Sequence, residues 1–261
     1  MLKTRVITAV IALAVLGVVL FVVPPWLTEL IIGALILAGA WEWSAFLEVS
    51  GATLRAAYVA MIGFLIAASY LLLPDVSDIV LQIAFAWWFA AFIWAMFFPT
   101  PIPALVRWLA GALVLVPLFI ALIVLFRIGE EKLLFALLIV WAADAGAYFA
   151  GKQFGRVKLA PSISPGKTWE GVIGGLLVVA LLAAVGARYS DATLSVLLPF
   201  FLAVAALSIV GDLTVSMFKR TAGVKDSGTL FPGHGGVLDR IDSVAAAAPL
   251  FALGLGWLGL V

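Results

Sequence analysis

The feature that most constrains this chain is a series of long apolar runs separated by polar joins. Each run has about the length, roughly 20 residues, that an α-helix needs to cross the hydrocarbon core of a bilayer. The composition agrees, because 66% of the 261 residues are hydrophobic and only 11% are charged, whereas a soluble domain carries about 25% charged residues. The sequence therefore predicts a polytopic membrane protein. It excludes a soluble globule, a disordered chain and a nucleic-acid-binding protein with a basic face.

The continuity of the runs favours helices over a transmembrane barrel, whose strands would alternate apolar and polar residues. We therefore predict an all-α polytopic membrane protein with about nine transmembrane helices. The predicted helices cover residues 5–23, 27–48, 55–74, 78–98, 107–127, 132–151, 169–188, 192–212 and 239–260. Proline, glycine and acidic residues lie between the runs, as is typical of turns.

No internal repeat or low-complexity linker divides the chain, so we predict a single membrane domain over residues 1–261. Its N-terminal part, 1–131, holds helices one to five, and its catalytic part, 132–261, holds helices six to nine. Two joins are long, 152–168 and 213–238. The first run ends in two prolines rather than at a small-residue cleavage site, so we predict that it is retained as a helix. The chain has no Cys, which excludes disulfides and thiolate sites.

The basic residues predict the orientation, because cytoplasmic segments of membrane proteins are enriched in Lys and Arg. With the N-terminus in the cytoplasm, twelve of the fifteen basic residues fall on the cytoplasmic side. They are Lys3, Arg5, Arg55, Arg107, Lys152, Arg156, Lys158, Lys167, Lys219, Arg220, Lys225 and Arg240. Arg127, Lys132 and Arg188 fall on the other side. We therefore predict a cytoplasmic N-terminus, an external C-terminus and two cytoplasmic long joins.

Carboxylates on five predicted helices fall in the cytoplasmic half of the membrane. They are Glu42, Asp144, Glu170, Asp212, Asp239 and Asp242. Ionisable residues at this depth are costly and usually mark a functional site. Any one of them could instead cap a helix or anchor it at the interface, but anchors would occupy both interfaces. Carboxylates suit Mg²⁺, and the nearby lysines and arginines suit phosphate oxygens. The pattern indicates metal-assisted phosphoryl chemistry at the cytoplasmic interface.

The second long join brings acids, bases and glycines together. If helix eight continues past Asp212, then Ser216, Lys219 and Arg220 follow Asp212 along one helical face. The glycines that follow predict a turn-rich loop, in which backbone N–H groups can approach a phosphate closely. Asp239 and Asp242 then open helix nine one turn apart, on one face. The loop is therefore expected to bring the acidic start of helix nine next to the acidic end of helix eight.

This join carries a long spaced pattern that resembles a known signature. Over 27 residues the pattern consists of Ser216, Phe218, Lys219, Arg220, Lys225, Asp226, Gly228, Phe231, Pro232, His234, Gly235, Gly236, Val237, Asp239, Arg240, Ile241 and Asp242. It resembles the signature of the phosphatidate cytidylyltransferases, also called CDP-diacylglycerol synthases, at every fixed position. Many members of that family carry an acid just before the motif serine, where this chain has Val215.

A second block resembles the same family. It consists of Asp144, Tyr148, Gly151, Gly155, Ser164, Pro165, Lys167, Thr168, Glu170 and Gly171. The clear resemblance covers about residues 140–243. The first five helices resemble the family only as a generic hydrophobic half, apart from the suggestive pair Glu42 and Trp43.

The resemblance implies a membrane-integral, Mg²⁺-dependent and homodimeric enzyme that converts CTP and phosphatidic acid into CDP-diacylglycerol and pyrophosphate. Asp212 and Asp239 match the acids that hold the metal centre, which a monovalent cation such as K⁺ can share. Other polar positions of that site match Asp144, Lys167, Ser216, Lys219, Lys225, His234 and Asp242. Together with the charge distribution, the resemblance implies a bacterial inner membrane protein whose site faces the cytoplasm.

We expect Ser164, Lys167, Lys219 and Lys225 to contact the nucleotide, and Arg220 to help neutralise its triphosphate. The phosphate of phosphatidate is already ionised near neutral pH, so its attack on the α-phosphorus of CTP needs no strong general base. The roles of Glu42 and Arg240 stay open, between a site residue and a cap or ion pair. His234, the single histidine, could act as a base, a phosphate donor or a turn-packing residue.

Three rival functions remain at this point. A secondary transporter would also bury acids, but its polar groups would extend toward the outer leaflet and its two halves would show matched broken helices. A CTP-using polyprenol kinase would keep the nucleotide and change the acceptor. A CDP-alcohol phosphotransferase is disfavoured, because its spaced aspartate pattern is missing.

Overall fold

A computed structural model describes residues 2–49, 51–73, 75–189, 192–230 and 235–260, and this part of the chain is almost entirely helical. The helices are α1 (Leu2–Phe21), α2 (Pro25–Trp43), α3 (Ala52–Leu71), α4 (Ser77–Met96), α5 (Ala104–Ile128), α6 (Glu130–Phe154), α7 (Trp169–Tyr189), α8 (Leu194–Thr221) and α9 (Leu238–Trp257). A short 3₁₀ turn, Ser44–Leu47, extends α2. Each α-helix lies on one of the predicted apolar runs, and most ends differ by only a few residues.

Seven of the described helices, α2 to α8, are long and apolar enough to cross a membrane. The chain is therefore a polytopic membrane protein, as predicted. Within α1, whose side chains are described from Val10 onward, Val10–Phe21 is an apolar helical segment. Helix α9 carries Asp239, Arg240 and Asp242 in its first turns, which lowers its mean hydropathy.

The first long join is not the irregular segment that the all-α prediction assumed. Residues Lys158–Ala160 form strand β1 and residues Ser164–Thr168 form strand β2. The two strands pair antiparallel, with Lys158 opposite Thr168 and Ala160 opposite Ser164. Sequence reasoning missed this hairpin because prolines and a glycine interrupt strands that are too short to show a period of two. The hairpin leads directly into α7.

Helices α6 and α7 approach each other closely because small residues line their contact. A Cβ atom on Gly175 would lie 2.6 Å from the carbonyl oxygen of Ala143, and one on Gly171 would lie 2.9 Å from that of Ala147. Contacts between small residues let membrane helices approach at backbone distance. This close approach places Asp144, next to Ala143, against the start of α7.

We expect Gly175→Ala to destabilise the protein, because the added methyl group would force α6 and α7 apart. Overpacking of this kind costs about 1–3 kcal/mol of unfolding free energy. Thermal or denaturant unfolding of the purified protein in detergent measures the effect. Gly17→Ala in α1 is the matched control, since a Cβ there meets nothing within 4 Å. Equal stability of the two variants would contradict this account of the contact.

Helix α2 is fixed to its neighbours at both ends. At one end the indole N–H of Trp43 donates to the carbonyl oxygen of Arg107 at 3.0 Å, and its ring lies 5.0 Å from that of Phe218. At the other end Arg127 forms a 2.6 Å ion pair with Glu29, which also accepts a 2.6 Å hydrogen bond from the Tyr70 hydroxyl. These contacts join the N-terminal helices to α5 and α8.

Candidate active site

Helix α8 continues to Thr221, so the face predicted for its last turns exists. The Ser216 hydroxyl donates to Oδ1 of Asp212 at 3.1 Å, one helical turn apart. The Lys167 ammonium, which comes from β2, lies 2.7 Å from Oδ2 of Asp212. Both oxygens of Asp212 are therefore engaged, by residues from the two long joins that the sequence analysis singled out.

The buried Lys219 connects α8 to the start of α9. Its ammonium lies 2.9 Å from Oδ1 of Asp239 and 3.6 Å from Oδ2 of Asp242, and all three side chains are nearly excluded from solvent. The spacing of the two aspartates places both carboxylates on the face of α9 that meets α8. The structure thus brings together three of the predicted site residues on two helices.

Asp144, on α6, completes the group. It lines one cavity together with Lys167 and Asp212, and Asp242 shares the Lys219 ammonium with Asp239. We call the set of Asp144, Lys167, Asp212, Lys219, Asp239 and Asp242 the acid–lysine cluster. Its four carboxylates and two lysines carry a formal charge of −2, which the exposed Arg240 reduces only in part.

The cluster fits a divalent cation by charge and by donor type, because Mg²⁺ prefers carboxylate oxygens. Asp212 and Asp239 are the predicted ligands, and each already has an oxygen on a lysine ammonium. A cation would take the place of a lysine at these oxygens. Over the described ranges, no group of three or more His, Asp or Glu side chains is arranged as a ready coordination shell.

A cavity of about 370 Å³ opens between α6, α7 and α8, beside the cluster. Asp144, Lys167 and Asp212 of the cluster line it, and so do Lys152 and Thr168. The rest of its wall is largely apolar, including Val172 and Leu176 of α7. The cavity therefore joins charged groups to a surface suited to hydrocarbon. We call it the α6–α8 cavity.

The β1–β2 hairpin is attached to the helices by its backbone. The Glu170 carboxylate accepts hydrogen bonds from the backbone N–H groups of Arg156 and Val157 at 3.1 and 3.2 Å. The Arg220 guanidinium donates to the carbonyl oxygen of Ile163 at 3.1 Å. Arg220 thus contacts the hairpin rather than the acid–lysine cluster, and Glu170 serves the hairpin as well. A contact between Arg220 and the triphosphate stays a prediction.

Of the remaining predicted site residues, the described Ser164 and Lys225 do not belong to the acid–lysine cluster. Ser164 begins β2, opposite Ala160, and Lys225 is exposed on the loop between α8 and α9. His234 lies outside the described residues. These assignments remain predictions.

Glu42 is a buried residue of this region whose role the sequence left open. Its carboxylate, on α2, accepts hydrogen bonds from the Ser227 hydroxyl and from the backbone N–H groups of Val237 and Leu238. Of the two readings that the sequence allowed, the structure favours a cap. The described loop glycines Gly228 and Gly236 approach this carboxylate, where the sequence analysis expected glycine N–H groups to approach a phosphate.

The fold and the site define an integral membrane protein with an acid–lysine cluster at one end of a partly apolar cavity. The family model described as "Cytidylyltransferase family" matches residues 3–257. The chain belongs to this family. It is 38% identical to the phosphatidate cytidylyltransferase of Haemophilus influenzae, an alignment that covers 97% of this chain and 98% of the relative. It is 43% identical to that of Pseudomonas aeruginosa, covering 98% and 99%. The enzyme of the same name from Brucella suis is 46% identical over about half of each chain, 48% and 47%.

Proposed function

We infer that this chain transfers the cytidylyl group of CTP to phosphatidate, giving CDP-diacylglycerol and pyrophosphate, as the first step toward phospholipids that use a CDP-lipid. Family membership over nearly the whole length of two relatives carries this inference. The α6–α8 cavity supports it, because a polar end lined by Lys167 and an apolar wall suit a lipid phosphate with acyl chains.

In the proposed reaction a phosphate oxygen of phosphatidate attacks the α-phosphorus of CTP. A new P–O bond forms there, and the bond to the β-phosphate oxygen breaks as pyrophosphate leaves. Lys167 and Lys219 would balance the negative charge of the phosphates. Without a ligand, the positive charges of these lysines are balanced by Asp212 and Asp239. Because phosphoryl-type transfer depends chiefly on positioning and charge neutralisation, the chain needs no covalent nucleophile.

We propose Asp212 and Asp239 as the residues that hold Mg²⁺, with K⁺ as a possible neighbour that the resemblance allows. When bound, the metal ion would supply Lewis-acid stabilisation and a template for the triphosphate. Ser216 holds the Asp212 carboxylate by its hydroxyl, and the backbone N–H groups of Ser227 and Gly236 hold Oδ2 of Asp239 at 2.9 Å. These hydrogen bonds fix both carboxylates before any ligand arrives.

We also propose that all nine helices span a bacterial inner membrane, with the N-terminus and the acid–lysine cluster facing the cytoplasm. The excess of basic residues on that side supports this orientation. CTP would then arrive from the cytoplasm, and phosphatidate would enter from the inner leaflet through the α6–α8 cavity. From the resemblance we expect a homodimer, which light scattering of the detergent-solubilised protein tests.

The decisive experiment is a turnover assay on the purified protein in mixed micelles with CTP, phosphatidic acid and Mg²⁺. We expect CDP-diacylglycerol and pyrophosphate to form in equal amounts, and only when Mg²⁺ is present. ATP, GTP and UTP are the nucleotide controls, and diacylglycerol and a polyprenol are the alternative acceptors. Phosphate transfer to an alcohol without pyrophosphate release would identify a lipid kinase. A folded sample without nucleotide chemistry on any acceptor would overturn the proposed function.

A further inference from the structure

Glu42 connects the N-terminal half of the chain to the loop that precedes α9. Its Oε2 atom accepts hydrogen bonds from the Ser227 hydroxyl and the Leu238 N–H, both at 2.8 Å, and its Oε1 atom accepts one from the Val237 N–H at 2.9 Å. Nearly 200 residues separate Glu42 from these donors in sequence. The side chain is buried, with 8% of the residue exposed. A buried carboxylate with three hydrogen bonds is part of the packed interior of the fold.

The contact satisfies a specific need of α9. The first N–H groups of a helix have no partner within the helix, and an anion at this end is stabilised by the helix dipole. Val237, the residue before α9, has no side-chain oxygen that could act as a cap. The Glu42 carboxylate therefore does from another helix what a capping side chain normally does locally.

The glycines of the loop are shaped around this carboxylate. A Cβ atom on Gly236 would overlap both carboxylate oxygens of Glu42, and one on Gly228 would overlap its Oε1 atom. Any larger residue at either position would push the carboxylate away. The two glycines are therefore explained by the approach of Glu42.

The same loop residues hold Asp239. Ser227 donates its hydroxyl to Glu42 and its backbone N–H to Oδ2 of Asp239 at 2.9 Å. Gly236 packs on Glu42 and donates its N–H to the same Asp239 oxygen at 2.9 Å. The other oxygen, Oδ1, is left to face Lys219. A displacement of Glu42 would therefore be transmitted to the orientation of Asp239.

We propose that Glu42 is a positioning residue that sets the orientation of Asp239 by holding Ser227 and the start of α9. This role rests on the proposed function of Asp239 as a metal ligand. It also makes the N-terminal half part of the site, although none of its residues belongs to the acid–lysine cluster. Since Glu42 occupies the N–H groups at the start of α9, these groups are not available to the triphosphate.

The first test measures loop opening directly and needs no catalysis. The chain has no Cys, so a single Val237→Cys substitution places one thiol at a position that is 2% exposed. We expect the rate of its labelling by N-ethylmaleimide to rise roughly tenfold or more when Glu42→Gln is added, because the charge is lost and the amide has one acceptor oxygen for the three donors. Glu48→Gln is the matched control, since Glu48 is a largely exposed carboxylate near the same helix end. It should leave the labelling rate unchanged.

The second test separates positioning from simple loss of folded protein. For Glu42→Gln we expect the Mg²⁺ concentration at half-maximal rate to rise about tenfold or more, with a much smaller change in KM for CTP. A merely structural role would lower the amount of active protein and leave both half-saturation values unchanged. Gly228→Ala, whose added Cβ atom would meet only atoms of Glu42, should reproduce the effect and add little to Glu42→Gln in the double variant.

Unchanged labelling in both Glu42→Gln and Gly228→Ala would overturn the inference, whatever the activity. If Glu42→Gln does not fold, Gly228→Ala carries the test by itself. A wild-type protein without CDP-diacylglycerol synthesis would overturn the proposed function, while the labelling rates would still decide whether Glu42 holds the loop. The two failures are therefore distinguishable.

Discussion

Asp212→Asn is expected to lower the rate of CDP-diacylglycerol formation at saturating substrate by more than about a hundredfold. Partners outside a metal's coordination sphere typically account for about 10- to 100-fold, and Asp212 is proposed as a ligand itself. The change removes the charge that Lys167 faces at 2.7 Å and keeps the size of the side chain. The initial rate at saturating CTP, phosphatidate and Mg²⁺ is the measurement.

The control is Asp78→Asn, which removes an exposed carboxylate at the first turn of α4. It should keep the wild-type rate. Thermal unfolding of both variants shows whether a slow enzyme is also a folded one. Near-normal turnover by folded Asp212→Asn would remove Asp212 from the metal site and, with it, the proposed mechanism.

Lys219→Met is expected to have the largest effect on stability in this chain, together with a loss of activity. Lys219 is the one cation in contact with both Asp239 and Asp242 among the described residues, and it is 6% exposed. Removing one partner of a buried ion pair costs about 3–5 kcal/mol, because a charge is left uncompensated. Unfolding in detergent with a chelator present measures this cost without compensation by a bound cation.

A second substitution distinguishes charge repulsion from lost packing. In Lys219→Met with Asp242→Asn, one of the two unpaired carboxylates becomes neutral, so we expect part of the lost stability to return. Turnover should stay low, because the lysine that faces Asp239 is still missing. Equal stability of the single and double variants would contradict the view that an unpaired charge on Asp242 causes the loss.

The sequence predicted most of the helical fold, because membrane spans are long and their apolar character is continuous. It also predicted that Asp212, Ser216 and Lys219 continue along one face of α8, since helical periodicity fixes that relation. Their convergence with Lys167 and Asp239 was expected from the prediction that both long joins lie on one side of the membrane. The structure confirms that convergence, while the catalytic and metal roles remain proposals.

The features that the sequence did not predict depend on contacts between distant segments. The hairpin at 158–168 is stabilised by hydrogen bonds between its backbone region and the side chains of Glu170 and Arg220. The spacing of apolar residues in the sequence does not predict such hydrogen bonds. The cap on α9 comes from Glu42, and a distant cap leaves no signature near the helix that it serves. The loop glycines correctly indicated that an anion approaches the backbone closely. A phosphate and a carboxylate need similar space, so the sequence could not show that the anion is the Glu42 carboxylate.

Helix α2 has a carboxylate contact near each end, Glu29 with Arg127 and Glu42 with the start of α9. Glu42 follows Glu29 by thirteen positions, or about 20 Å of helix at 1.5 Å per residue. Insertion of a single residue between them would turn one carboxylate by roughly 100° relative to the other and move it along the axis. Both contacts could not then form at once. The number of residues between Glu29 and Glu42 is therefore fixed. Substitutions in the apolar stretch between them keep this number, whereas insertions change it.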